Sequence, residues 1–463
     1  MDVKDLQSSI EGKVTTATDA GYENLRRELV WNQLTPARYP QLIVQVATEQ
    51  DVVEAVRFAR ATGMKIAVRG GGHSWVGFAL RDNSLLIDLG RLTHVTIDRA
   101  ARTAAIQPAV TARDFNRQLA AQELAFPVGH CPMVSLSGFL LNGGLGWNFN
   151  GWKPACFSIA AAHVVTADGH LVVANEQQNA DLLWAIRGAG PGFFGIVTRY
   201  ILKLYPVPGA ITTSNYYYPL RHAAEVGAWA ASVAGRLPKE VELTIFLAPA
   251  PPTLAERCRS SNGFVCVVSA TAFVDTKSEA ATALGLLESC PVAHACLEKE
   301  PNLPTPIDAL LDMGGMLWPE RHRYLADTLW SNSSPATVLG TLREHFLRAP
   351  SAKSLAVFVF STGAEGHAAP LPDAAFSMTA STLLLCYAIW ERPEDDTANA
   401  TWHRQTITAL DPLAVGHYVG ESDIVADPTR AQRSFAAANW HRLQALRRQY
   451  DPEGLFHGHF SAR

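Results

Sequence analysis

The chain predicts an α+β protein in two domains, and three observations carry that expectation. It has 463 residues, 48% hydrophobic and 18% charged, which is enough for large buried cores and too little charge for disorder. A single core stops growing near ~250–300 residues, so this length asks for more than one domain. Helical and strand patterns intermingle through the first two hundred residues, and the texture changes after Pro206 and Pro208. The expected layout is a first domain over 1–208, a second over 209–410, and a closing segment, 411–463, that returns to the first.

Thr48 followed by Asp51 has the spacing of a helix cap, Val52, Val53, Val56 and Ala59 share one helical face, and Gly63 supplies a stop, which together predict a helix. Lys65 to Val68 then reads as a short strand emptying into Gly70-Gly71-Gly72-His73-Ser74, where three glycines end regular structure. Further strands are expected at Leu85 to Leu89, Val95 to Asp98 and Ala104 to Gln107, and a helix from Thr111 to about Glu123. A second glycine-rich stretch runs from Gly138 to Gly151. Ala162 to Val173 reads as a hairpin turning at Ala167-Asp168-Gly169. Asn179 is placed to cap a helix ended by Gly188, and Ile196 to Leu204 alternates like a strand.

In the second domain Tyr216-Tyr217-Tyr218 and Ala356 to Phe360 read as strands, and Ala223 to Val233 and Ser278 to Leu287 as helices. The Pro-rich stretches Pro249 to Pro252 and Pro301 to Pro306 read as loops. Arg430 to Tyr450 has the composition of one amphipathic helix ending before Asp451-Pro452.

Composition narrows the partners. A formal net charge of -4 gives no general attraction to phosphate backbones, so nucleic acid is not an expected partner. The opening residues lack a basic start followed by an apolar run, and no apolar stretch approaches the ~20 residues that cross a bilayer. A cytoplasmic protein with no membrane partner is the expectation. Seven scattered cysteines with no CxxC pair indicate neither a disulfide framework nor structural zinc. His457-Gly458-His459 sets two imidazoles at strand spacing, and a metal site would need a third ligand; no metal is expected. Oligomeric state is not legible.

Two loops could carry chemistry. Arg69-Gly70-Gly71-Gly72-His73-Ser74 is open to two readings, a plain turn or a nest of N–H groups around an anion such as a diphosphate. A second loop, Gly129-His130-Cys131-Pro132-Met133-Val134 followed by Gly138 and Gly143-Gly144-Leu145-Gly146, offers another close backbone approach. Two such loops in one domain suggest a long dinucleotide. The formal GxGxxG at Gly190, Gly192 and Gly195 follows a helix and opens a strand, the reverse of a Rossmann fingerprint, and there is no P-loop.

The run Val68 to Ser74, then Gly129-His130-Cys131-Pro132, Gly143-Gly144-Leu145-Gly146, Thr166-Ala167-Asp168-Gly169, Leu183-Trp184-Ala185-Ile186-Arg187-Gly188, Phe194-Gly195-Ile196-Val197 and Tyr450-Asp451-Pro452 with Leu455-Phe456 resemble, in order and spacing, the berberine-bridge-enzyme-like branch of the vanillyl-alcohol-oxidase flavoproteins. The strongest motifs fill about residues 38 to 205 and the last fifty. The resemblance implies a PCMH-type FAD-binding fold whose cofactor domain is made from both ends of the chain. It also implies a substrate domain with an antiparallel sheet covered by helices, and flavin-dependent oxidation of a small molecule.

Carried over by position, His73 matches the histidine bonded to the flavin 8α-methyl group, and Cys131 the cysteine bonded to flavin C6. An imidazole nitrogen and a thiolate are nucleophiles that could add to an electron-poor flavin. The other implied FAD contacts are Arg69, Gly70, Gly71, Gly72 and Ser74, then Val134, Gly138, Gly143, Gly144 and Gly146, and finally Gly195, Ile196 and Val197. Val134 matches a position where a side chain smaller than leucine is associated with oxygen access. Met133, Ser135 and Phe139 depart from the Thr, Gly and His frequent in plant members.

The family's Y-x-N-Y-x-D segment is matched by Tyr418-Val419-Gly420-Glu421-Ser422-Asp423, with Glu421 replacing the second tyrosine. Glu421 is either the catalytic base, with Tyr418 assisting, or a solvated loop acid. The carboxylate that other members carry on the strand before Trp390 is replaced by Leu383-Leu384-Leu385. Tyr216 to Tyr218 and Trp318 could line a substrate cavity or the core. The expected protein is an oxidase with bicovalent FAD, acting on a hydrophobic alcohol, phenol or natural-product intermediate and passing electrons to O₂. The rivals are a dehydrogenase of the same fold with another acceptor, and a flavin-binding protein without turnover.

Overall fold

The computed structural model describes residues 2–368 and 370–458, apart from the side chain of His367. The first sheet contains β1 (Lys13–Thr16), β2 (Leu42–Gln45), β3 (Ile66–Arg69) and β4 (Leu85–Asp88) in the order β1-β2-β4-β3, with β2, β4 and β3 parallel. The helix Glu49–Thr62 connects β2 to β3. Thr48 caps it by accepting from the Asp51 N–H at 3.1 Å, and Gly63 stops it in the left-handed region at φ 70.

The second sheet is antiparallel. It takes β5 (Val95–Asp98) and β6 (Thr103–Ile106), then, after the two-residue β7 (Leu124–Ala125), β8 (Ile159–Val165), β9 (Leu171–Ala174) and β10 (Ile196–Lys203), in the order β5-β6-β10-β8-β9. β7 pairs instead with β11 (Tyr205–Pro206). That pairing explains why the helix expected to reach Glu123 ends at Ala120: Glu123 takes a left-handed φ of 58 so that the chain can turn into β7.

Seven antiparallel strands form the third sheet: β12 (Ala210–Pro219), β13 (Val241–Pro249), β14 (Phe264–Val274), β15 (Glu298–Pro304), β16 (Arg323–Ser331), β17 (Leu355–Phe360) and β18 (Thr382–Trp390), in the order β15-β12-β14-β13-β17-β18-β16. Alternation along each strand gives the sheet two faces. On β18, Leu384, Cys386, Ala388 and Trp390 point into a core shared with the helices Ala223–Ala234, Pro335–Phe346 and Asp396–Leu410, while Leu383, Leu385, Tyr387 and Ile389 face the cofactor-side core. Tyr216 and Tyr218 belong to the helix side, and Tyr217 to the other.

Three expectations are corrected. Residues 301–306, read as a loop, contribute to the edge strand β15, where prolines survive because one side of the strand needs no N–H donor. The helix expected over 430–450 is two, Thr429–Arg433 and Ala437–Tyr450, interrupted at Ser434-Phe435-Ala436. Asn179 precedes the helix Ala180–Ile186 in the left-handed region, and its side chain donates to the Val173 carbonyl at 2.7 Å rather than accepting from the helix.

The C-terminal tail docks on the first sheet. The Ile66 N–H donates to the Leu455 carbonyl and the His457 N–H to the Ile66 carbonyl, both at 2.8 Å. Buried Asp451 organises the turn before it, accepting from the Leu455 and Phe456 N–H groups at 2.5 and 3.1 Å and from Arg447 at 3.3 Å. Phe456 and His457 are thereby set on the wall of a large cavity between the first two sheets and the third.

Candidate active site

That cavity has a volume of about 690 Å³ and is continuous from the loop after β3 to the inner face of the seven-stranded sheet. The loop's geometry follows from Arg69. Its guanidinium is paired with Asp88 at 3.0 Å and donates back to the carbonyls of Gly70, Gly71 and Leu29. Gly72 is left-handed at φ 76, and a Cβ there would lie 2.3 Å from the Leu29 carbonyl oxygen, so only glycine fits. With its carbonyls tied back to Arg69, the loop keeps the N–H groups of Gly70 through Ser74 free of hydrogen bonds among the described residues. Five consecutive free donors on a cavity wall suit a diphosphate. Ser135 and Gly138 from the second loop, and Gly195, Ile196 and Val197 at the start of β10, line the same channel.

Gly143, Gly144 and Gly146 do not line it. Added Cβ atoms would meet Phe376, Ala155 and the Pro127 carbonyl, so these glycines serve close packing. The N–H groups of Gly144 and Leu145 instead point at the phenol oxygen of Tyr418.

His73 and Cys131 both face the cavity. The His73 ring stacks on Trp31, with centroids 5.1 Å apart, and is hydrogen-bonded to the Met133 backbone. Burial, with the Arg69 charge nearby, pulls its pKa down to about 4, so the imidazole is neutral at physiological pH. Burial pushes the Cys131 thiol up to about 11, against the opposing effect of backbone hydrogen bonds from Met133 and Val134. Val134 lines the cavity three residues on.

Glu421 is half-buried on the cavity wall. The Tyr387 hydroxyl donates to its Oε2 at 2.5 Å, and the Trp75 indole N–H to the same oxygen at 3.1 Å. Burial raises the carboxyl above its ordinary range, and these two hydrogen bonds only partly offset the rise. Trp75, Tyr324, Tyr387 and Trp318 pack ring to ring around it, with centroids 5.0 to 5.6 Å apart. Tyr418, which is buried, lines the cavity beside Glu421, and burial lifts its phenol well above the usual value. Of the two readings of Glu421, the structure places its carboxylate on the cavity wall with two side-chain donors.

Trp75, Tyr387 and the pair His130–Glu242 were not singled out from the sequence as site residues. Tyr387 had a signal, being two and four residues beyond Leu385 and Leu383 on a strand. Trp75 immediately follows the His73-Ser74 motif. His130 Nε2 lies 2.9 Å from Glu242 Oε1 across the interface with the third sheet, a contact between residues 112 apart that no local pattern announces. Among the described residues no cluster of three metal-ligating side chains occurs and no helix is long and apolar enough to cross a membrane. His459 lies outside the described residues.

Comparisons with known proteins agree with this geometry. Residues 40–175 match the FAD binding domain family. The FAD-linked oxidoreductase nodO of Hypoxylon pulicicidum is 29% identical over 446 residues, spanning 96% of each chain. The solved structure of 6-hydroxy-D-nicotine oxidase from Arthrobacter nicotinovorans superposes with a TM-score of 0.83 at 21% identity, covering 98% of both chains. The berberine-bridge-enzyme-like protein 1 of Physcomitrella patens gives 0.83 at 19%, covering 100% of this chain and 99% of its own. The free N–H nest lies in the segment that matches the FAD binding domain, the chain is similar along its length to FAD-linked oxidoreductases, and it shares the fold of the berberine-bridge-enzyme-like structures from end to end.

Proposed function

We propose that this protein is an FAD-dependent oxidase whose flavin is bonded to His73 and Cys131, with Glu421 as the proton acceptor. The observation that carries the reading is a half-buried carboxylate with raised pKa, fixed by Tyr387 and Trp75 on the wall of the cavity that His73 and Cys131 also face. FAD, held by the Gly70 to Ser74 loop, would supply the acceptor for a substrate hydride and the route by which O₂ takes up the electron pair as hydrogen peroxide.

The remaining chemistry belongs to the chain. The loop from Gly70 to Ser74 presents five N–H donors to the diphosphate. His73 offers a neutral ring nitrogen, the form a nucleophile needs, and its contact with Trp31 and Met133 fixes the ring's direction. Cys131 reacts only after losing its proton, and the Met133 and Val134 N–H groups are placed to stabilise the thiolate that results. Glu421 takes the substrate O–H or N–H proton; its raised pKa makes it a stronger base than a solvated carboxylate. Tyr387 and Trp75 hold both the position and the charge of that carboxylate, and the aromatic shell keeps water away. Valine at 134 leaves space for O₂. Hydrophobic alcohols, phenols and natural-product intermediates fit the apolar residues Leu383, Leu385, Val357 and Trp318 beside the base.

Acid-precipitated protein should keep its flavin. His73→Ala should retain it through Cys131, Cys131→Ala through His73, and the double variant should release it all; complete release from the wild type contradicts covalent attachment.

Glu421→Gln should slow anaerobic flavin reduction by about 10²–10⁴-fold. Reduction in the wild type should rise with pH as Glu421 deprotonates, with its midpoint above the ordinary carboxyl range. Tyr387→Phe removes a bond that favours the charged form, so that midpoint should move to still higher pH. A pH profile unaffected by both substitutions assigns the proton to another group.

Stopped-flow mixing of reduced protein with O₂ should show fast reoxidation, slowed by at least tenfold in Val134→Leu. Sluggish wild-type reoxidation would make the protein a dehydrogenase.

A further inference from the structure

The inner face of the seven-stranded sheet is not uniformly apolar. On β17 and β18, next to Tyr387, it presents Val357, Val359, Leu383 and Leu385. On β12, β14 and β13 it presents Thr213, Asn215, Ser269, Thr271, Glu242 and Thr244 in two adjacent rows, while the next row, Tyr217, Val267 and Phe246, continues into Val357 and Leu385 and is aromatic and aliphatic throughout. The register builds this division: Thr213 pairs with Thr271 and Thr271 with Glu242, and in the next row Asn215 pairs with Ser269 and Ser269 with Thr244. Thr244 then pairs with Val359, and Val359 with Leu383, where the row turns apolar. The polar groups therefore occupy one corner of the face, at the first two rows of β12, β14 and β13, and the proposed base lies over the apolar remainder on β18.

The polar end carries a charge bias. Glu242 is 6% exposed and holds the His130 ring at 2.9 Å and the Asn148 N–H at 3.1 Å, one partner on each oxygen. A carboxylate oxygen has room for a second donor. At the margin Glu300 accepts from Asn215 and Tyr217, each at 3.0 Å. Among the described residues that line the cavity there is no lysine and a single arginine, Arg69, which is turned into the cofactor loop. In this half the imidazole of His130 is committed to Glu242. The indole N–H of Trp147, whose ring lies 4.2 Å from His130, has no hydrogen-bond partner among the described residues.

Resting on the oxidase reading, we infer that the substrate is an amphiphile: an apolar body, usually a ring, on β17 and β18 beneath Glu421, and a hydrogen-bond-donating head, hydroxyl or protonated amine, at Glu242. An anionic head is rejected, because a carboxylate or phosphate placed there would face the buried Glu242 without a counter-cation.

Calorimetric titration of the oxidised holoprotein under anaerobic conditions tests this without turnover, using three probes of one skeleton: 4-phenylbutylamine, 4-phenyl-1-butanol and 4-phenylbutanoate. The amine and the alcohol should each bind at least tenfold more tightly than the carboxylate. Glu242→Gln should weaken the amine by at least tenfold and the alcohol by less than threefold. Carboxylate binding equal to or tighter than both other probes overturns the inference, as does an amine affinity unmoved by Glu242→Gln. If that variant does not fold, the wild-type order decides alone, with Thr244→Val as the second site, expected to weaken the alcohol. Because binding is read, the outcome stands apart from the Glu421→Gln test of the oxidase reading.

Discussion

Holding the half-buried Glu421 carboxylate against aromatic rings is the constraint on which the site is built, because a charge that loses part of its water must be given hydrogen bonds in exchange. Its two donors come from different parts of the chain: Trp75 from the loop after β3 and Tyr387 from β18. The carboxylate itself sits in the segment ahead of the last two helices. Meeting its hydrogen bonds therefore locks the glycine loop, the third sheet and the C-terminal segment into one arrangement. Hydrogen bonds to a charged group contribute about 1.5–3 kcal/mol each, and burial still outweighs them, since the net direction of the pKa is upward. For the proposed role as proton acceptor the imbalance matters, because a fully compensated carboxylate would be a weaker base.

The same dryness acts in opposite senses on the groups across the cavity. It lowers the His73 imidazole to about 4 and raises the Cys131 thiol to about 11, because in each case the neutral form is favoured. Under the proposed covalent attachment, the neutral imidazole is already the form that reacts, whereas the thiol would first have to lose a proton. Arg69 sharpens the contrast by turning its charge into the loop, where it frees N–H groups for an anion while disfavouring protonation of His73.

Much of this was readable in the chain, and the rest was not for physical reasons. Thr48, Gly63 and the alternation in Val95–Asp98 act locally, and the helix and strands they mark lie where the patterns put them. The edge strand β15 was hidden by its prolines, since propensity speaks against a strand that only its neighbour β12 makes possible. The glycines at 70 to 72 and 143 to 146 look alike in sequence, yet the first group lines the cavity and the second supports packing around Phe376, Ala155 and Pro127. The leucines at 383 to 385 stand where the resemblance places a carboxylate on the strand before Trp390. Tyr387, on the same face one pleat further, donates to Glu421. His130 and Glu242 meet only through tertiary contact.

The central claim is that Glu421 titrates as a half-buried carboxyl with a raised pKa on the cavity wall. Infrared difference spectroscopy across pH, on protein labelled with ¹³C-carboxyl glutamate, reads that group directly. A protonated carboxyl band that persists above the pH range of ordinary glutamates, and that vanishes in Glu421→Gln, is the predicted result. A spectrum in which every glutamate titrates within the ordinary range, unchanged by the substitution, would contradict the account.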